Sequence, residues 1–225
     1  LPESAPLPFF QVESVTTGDS KFEKQGRSKN SSTAGRAGST IGPSSKSSTM
    51  DAALQHLTDQ IKSAATQKTP LCIRGSGSKD FYGEPCSGEL LDLGAWRGIT
   101  AYEPTELVVT ARAGTPLAEL EAALAEKGQC LAFEPPRFGD GGTVGGMVAA
   151  GLSGPARASA GGVRDYVLGV QLINGRGEHL TFGGQVMKNV AGYDVSRLMV
   201  GSLGCLGALT EVSISVVAVA SAQAT

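Results

Sequence analysis

Apolar positions fall into regular periods only from about residue 50 onward. Leu54, Leu57, Ile61 and Ala64 stand three or four apart, the spacing of one helix face, and Thr49 in front of them is a suitable N-cap. Pro70 ends that helix, residues 71–74 read as a short strand, and Gly75-Ser76-Gly77-Ser78 follows at once. Strands are predicted over 90–93 and 106–113, after which Thr115 is placed to cap a helix bearing Leu117, Leu120 and Leu124 and ending at Gly128. Residues 141–151 open a short helix, and residues 167–182 read as two apolar strands around an Asn174-Gly175 turn. Leu209, Val212, Ile214 and Val216 predict a closing strand, so the whole is a mixed pattern of helices and strands without an internal repeat.

Residues 1–49 have another character. They carry six Lys/Arg and four Asp/Glu, leaving 13 and 17 for the remainder, so a segment of +2 precedes one of -4. Between Ser28 and Ser48 the chain is Ser-rich, with no acidic residue and too little apolar surface to offset the entropy of ordering. Disorder is expected over 1–49, a folded domain over 50–218 and a tail over 219–225. The Ser-rich basic text resembles a transit segment, whereas a linker or translated upstream sequence is the plainer reading, because Met50 stands where a folded domain would begin.

Composition then removes several chemistries. A formal charge of -2 offers no cationic field for nucleic acid. The four cysteines, Cys72, Cys86, Cys130 and Cys205, form no C-x-x-C unit and read as reduced thiols of a cytosolic protein, with no metal site. Two histidines, His56 and His179, leave little for a Ser/His/Asp triad or a poly-His centre; His179 reads as an ordinary surface residue and His56 as a residue on the first helix. No apolar run approaches the roughly 20 residues of a membrane span. Glycine stands out: 31 of 225 residues is about twice the usual share of about 7%.

Those glycines cluster in three places. In Arg74-Gly75-Ser76-Gly77-Ser78-Lys79 the missing side chains let successive amides converge on an anion, with the serine hydroxyls and Lys79 as further donors. An ordinary tight turn explains that loop equally well, because the dinucleotide fingerprint lacks its third glycine and no G-x-x-x-x-G-K-[ST] loop exists. Gly141-Gly142-Thr143-Val144-Gly145-Gly146, continuing to Gly151, is a nearly side-chain-free surface, suited either to a flat ligand or to close packing on a sheet. The third lies at 201–210, where glycines lead into the last strand beside Leu209. Three backbone surfaces suggest one long cofactor.

In order along the chain stand RGSGSKDFYG, VVTARAGTPLAELEAALAEKGQ, TVGGMVAAGLSGP, VRDYVLGVQLINGRGE and GGQVMKNVAGYDVSRLMVGSLGCLGALTEV. This set resembles the FAD-binding subunits of bacterial glycolate oxidases, within the vanillyl-alcohol-oxidase-type or PCMH-type flavoproteins, over about residues 51–217. The resemblance implies an α+β FAD-binding domain of two small α+β subdomains, with the cap domain of such proteins largely absent from a chain ending at Thr225. It further implies FAD held by Arg74, Gly75, Ser76, Gly77, Ser78 and Lys79 at the diphosphate, by Thr143, Val144, Gly145 and Gly146 on the diphosphate and flavin side, and by Gly151 and the Leu209 backbone. No histidine flanks the first loop and no cysteine lies in 136–146, so noncovalent FAD is expected.

By the same resemblance the activity is oxidation of glycolate to glyoxylate. The alternatives are another 2-hydroxy acid such as D-lactate, or a non-catalytic FAD scaffold. The implied partners are a second FAD-linked subunit, an iron-sulfur subunit and a small 2-hydroxy acid. The implied location is cytoplasmic, at most peripheral on the inner membrane through those partners. Catalytic residues are not identified. Residues 188–194 match a signature of the same family and read as a loop anchor, as does Arg164-Asp165.

Overall fold

The computed structural model describes residues 45–139, 141–184 and 193–220. The first helix, α1 (Ser45–Gln67), starts ahead of the Thr49 expected to cap it, so the last residues of the Ser-rich stretch are helical. Leu57, Ile61 and Ala64 are buried along one face as their spacing demands, and His56 is exposed on the other. They pack on β1 (Leu71–Arg74) and β2 (Glu89–Asp92), which pair in parallel with Leu71 opposite Glu89 and Arg74 opposite Asp92. Parallel strands require a crossover of about a dozen residues or more, usually a helix. Here the crossover is the exposed lobe of residues 75–88, and the first glycine cluster is its opening.

The second unit is built on a larger sheet. β3 (Ile99–Glu103), which the sequence pattern did not predict, pairs with β4 (Val108–Arg112). β4 begins later than the expected 106–113 because the chain turns through Leu107 at φ 55°. The next helix, α2 (Leu117–Ala125), is not capped by Thr115: Pro116 holds the cap position, and the Thr115 hydroxyl instead accepts from the Gly98 amide and donates to the Gly98 carbonyl. Leu117, Leu120 and Leu124 are buried as expected, each worth about 2 kcal/mol. The chain turns at Gly128 into the short β5 (Gln129–Cys130), then passes to α3 (Val144–Ala150), α4 (Arg157–Ala160) and α5 (Val163–Tyr166).

β6 (Val167–Ile173) and β7 (His179–Gly183) form the expected hairpin around a different turn. The Asn174 side-chain oxygen accepts from the Arg176 and Glu178 amides, and Gly177, at φ 70°, takes the left-handed position rather than Gly175. After α6 (Val195–Leu198), β8 (Ala208–Ser215) closes the sheet in the order β3-β4-β8-β6-β7, and β9 (Val217–Ala218) pairs with β5. Between this sheet and helices α2 and α3 lies the main core, with Val109, Ala111, Val170, Leu172, Val212 and Ile214 facing Leu120, Leu124, Val144 and Met147. Ile173 and Ala208, at the end of the sheet, join the smaller core under α1. Two cores of separate composition meet along one seam, the α+β arrangement of two subdomains. Among the described residues no helix is long and apolar enough to cross a membrane.

Candidate functional site

A cavity of about 600 Å³ opens along that seam. The end of β1 and the lobe form one wall, the start of α3 another, and residues 203–209 leading into β8 a third. All three glycine clusters therefore face one space, of the size that ligand sites commonly have, roughly 300–1,000 Å³. Arg74, Gly75, Ser76, Gly77, Ser78 and Lys79 line it, as do Thr143, Gly145, Gly146 and Leu209. Val144 and Gly151 do not. Val144 is fully buried in the main core, and Gly151 is the C-cap of α3 at φ 65°, its Cα side facing the Gly201 backbone.

The two principal glycine clusters differ in the state of their amides. Among the described residues, the N–H groups of Ser76, Gly77, Ser78 and Lys79 meet no protein acceptor, while the Asp80 amide already turns back to the Gly77 carbonyl at 3.2 Å. At α3 every donor of the first turn is taken. Val144 N–H reaches the Thr115 carbonyl at 2.9 Å, Gly145 the Ala113 carbonyl at 2.8 Å, Gly146 the Thr143 hydroxyl at 3.1 Å and Met147 the Thr143 carbonyl at 2.8 Å. Of these two walls, the lobe side is the one that offers free amides to an anion in the cavity.

Side-chain volume separates the clusters further. A Cβ on Gly75 would stand 2.5 Å from the Thr143 hydroxyl, so glycine there lets the two walls touch. Gly77 sits at φ 73°, and a Cβ on it would strike the Arg74 guanidinium, which is folded beneath the loop and paired with Asp80. Gly145 packs against Ala113, with a Cβ falling 2.6 Å from the Ala113 Cβ. Only the Thr143 hydroxyl, at 3.1 Å, would lie near a Cβ on Gly146, which otherwise points into the cavity. Burial beside the loop holds the Lys79 ammonium below the ordinary lysine value of 10.5. Partly desolvated and without a carboxylate partner among the described residues, this cation is poised for an anionic ligand.

Several wall residues carried no sequence signal. Tyr82, Leu93 and Ala113 are among them; Leu203, from the third glycine cluster, also lines the cavity and holds φ 50°, a costly conformation for a non-glycine residue, with its amide on the Ala149 carbonyl. Cysteines also reach the wall. Cys72 and Cys86 are joined as a disulfide, with Cα atoms 5.8 Å apart, correcting the reading of all four as reduced thiols. A separation of 14 residues hides this pairing in the sequence; the crossover from β1 back to β2 brings the two together. Cys205 is free and exposed on the third wall, and Cys130 is free elsewhere.

Other expected anchors behave structurally. Asp165 accepts the Gly162 amide at 2.8 Å, and exposed His179 reaches the Thr210 hydroxyl at 3.1 Å. Residues 188–192 of the family signature lie outside the described residues, whereas Asp194 caps α6 through the Arg197 amide at 3.1 Å.

Comparison with known proteins agrees with this geometry. Residues 53–183 match the family model described as FAD binding domain. The chain is 60% identical over 162 residues to "Glycolate oxidase subunit GlcE" of Escherichia coli, covering 72% of this chain and 46% of that protein. It is 30% identical over 157 residues to the mitochondrial "D-lactate dehydrogenase [cytochrome]" of Arabidopsis thaliana, covering 68% of this chain and 27% of that one. To "Glycolate oxidase subunit GlcD" of Bacillus subtilis it is 30% identical over 167 residues, covering 71% and 35%. The chain spans about half the length, or less, of these relatives.

Proposed function

Because this chain belongs to the FAD binding domain family, we propose that it is the FAD-carrying part of an oxidoreductase that converts glycolate to glyoxylate. The observation carrying this reading is the lobe loop, which presents unengaged amides and the partly desolvated Lys79 to a cavity in the usual range of ligand sites. The residues present fit FAD. Ser76, Gly77, Ser78 and Lys79 would hold the diphosphate through backbone N–H groups and the ammonium. Gly75 and Gly145 let the two walls approach, and Gly146 keeps the α3 side free of a side chain so that a planar ring can lie against it. Thr143 fixes the start of α3, and Leu209 supplies an apolar edge at the foot of the cavity. Val144 and Gly151 support the site from within the fold, by core packing and by capping.

The chemistry FAD supplies when bound is acceptance of two electrons from the carbinol carbon of a 2-hydroxy acid. This chain's residues hold and orient; among the described residues no histidine lines the cavity to take the hydroxyl proton. The proposed partners are a second FAD-linked subunit, on the pattern of the GlcD relative, and an iron-sulfur subunit with peripheral membrane contact. Glycolate is preferred over D-lactate because the glycolate oxidase relative is 60% identical and the D-lactate dehydrogenase relative 30%.

The test is purification of the chain with its natural partners, analysis of bound flavin, and turnover of a panel of 2-hydroxy acids. Glycolate oxidation that falls with the flavin of this chain supports the reading. Full turnover by a complex whose lobe loop has been disabled makes the chain a scaffold, and a higher kcat/KM for D-lactate moves the assignment to that acid.

A further inference from the structure

We propose that the Cys72–Cys86 disulfide is a reversible thiol modification site that gates the FAD cradle; the gating role rests on the FAD reading above. Cys72 is the second residue of β1, and Cys86 precedes β2 by three residues, so the bond closes a ring around the whole loop that carries the free amides. Little else holds that lobe. Every residue from 81 to 90 is exposed, Phe81 by 67%, and its apolar contacts include one edge-on meeting of Phe81 with Phe138, ring centres 4.9 Å apart. The Arg74–Asp80 ion pair at its base is itself about half exposed and contributes little. A covalent tie across a poorly packed loop removes conformations that the loop otherwise samples, and a preorganised loop binds with less loss of entropy.

Cys86 is an exposed residue on the cavity wall, where a small dithiol or a dithiol protein would approach the bond. A thiolate of the reductant attacks the Cys86 sulfur, and Cys72 leaves and takes a proton. The second thiol of the reductant then resolves the mixed disulfide, passing two electrons and two protons in all to the cysteine pair. The freed lobe keeps its amides but loses their fixed convergence, and FAD affinity falls.

The experiment compares the full chain after mild oxidation with oxidised glutathione and after reduction with dithiothreitol. A non-reduced digest of the oxidised protein should contain the peptide linking Cys72 and Cys86. Hydrogen exchange of the flavin-free protein at the bonded Asp80 and Tyr82 amides should accelerate on reduction, and the FAD dissociation constant should rise about tenfold, the scale expected from lost preorganisation. Cys72→Ser/Cys86→Ser should match the reduced protein and ignore reductant, while Cys130→Ser, a free cysteine away from the cavity, should respond as the parent does. If the double variant does not fold, the reduced parent supplies the same comparison. Absence of the linked peptide, or equal exchange and equal affinity in the two states, overturns the proposal. Accelerated exchange with no FAD binding in either state upholds the loop tie and overturns the FAD reading instead.

Discussion

Two glycine-rich segments face each other across the cavity and use glycine for opposite reasons. Around Gly77 the absent side chain lets the loop turn at φ 73°, with the amides of Ser76 to Lys79 left unspent. Around Gly145 the absent side chain lets α3 lie on β4 and Ala113, and every amide of the first turn is consumed in fixing it there. The first segment keeps donors for a ligand, whereas the second gives up its donors to become a smooth wall. Glycine content alone does not distinguish these uses; the fate of the N–H groups does.

The largest predicted effect is at Gly77. Gly77→Val puts a β-branched residue at φ 73° and drives its Cβ into the Arg74 guanidinium, which disorganises the loop. FAD affinity measured by fluorescence quenching should fall by on the order of a hundredfold, from roughly 1–3 kcal/mol of strain added to lost diphosphate contacts. Because the lobe is exposed, the thermal midpoint should move little. Gly145→Val should behave in the reverse way, lowering stability by about 1–3 kcal/mol through overpacking against Ala113 in chemical denaturation. Gly146→Val, whose side chain enters the cavity, should fold and yet lose FAD.

Lys79→Gln should weaken FAD binding by about ten- to a hundredfold, the worth of a charge-assisted hydrogen bond of roughly 1.5–3 kcal/mol. The parent protein should also lose affinity as pH rises through the lowered value of Lys79, because the ammonium is then lost, whereas Lys79→Gln should show no such limb. Stability of the flavin-free chain runs the other way. Between the lowered value and 10.5 the native state binds fewer protons than the unfolded state, so the contribution of Lys79 to stability increases with pH across that window. A smaller effect is expected of Thr143→Ala, which removes the hydroxyl cap of α3 and should cost about 0.5–2 kcal/mol of stability with FAD affinity changed only a few-fold.

How the flavin is retained bears on the same two walls. Acid precipitation of FAD-loaded protein should release all yellow colour to the supernatant, as expected for noncovalent binding. Cys205 is the free thiol on the described wall, so a flavin-bearing peptide containing Cys205 in the pellet would refute noncovalent retention.

Much of this architecture was legible in the sequence. The helical face of Leu57, Ile61 and Ala64, the strand ending at Arg74 and the Leu117-Leu120-Leu124 stripe are where the spacing put them, because each faces a core on one side only, and the closing strand β8 is found around Leu209, Val212 and Ile214, though it is buried on both faces. β3 and β5 were not legible. Ile99–Glu103 has no strict alternation, and a two-residue strand such as Gln129–Cys130 exists only because β9 returns beside it. Thr115 shows how a good capping residue is overridden when a neighbouring backbone, here Gly98, offers it two hydrogen bonds. At the site, the glycine clusters announced the three walls. The inward burial of Val144, the disulfide and the contribution of Leu203 depend on how distant segments meet, which residue spacing does not encode.

The difference between the two walls can be read amide by amide. Residue-resolved hydrogen exchange on the full chain, with and without saturating FAD, measures it directly. The amides of Ser76, Gly77, Ser78 and Lys79 should exchange rapidly in the free protein and become strongly protected when FAD binds. Those of Val144 to Met147, already bonded within the fold, should be slow in both states. Protection gained at the start of α3 with none at Ser76 to Lys79 would contradict the assignment of the diphosphate to the lobe.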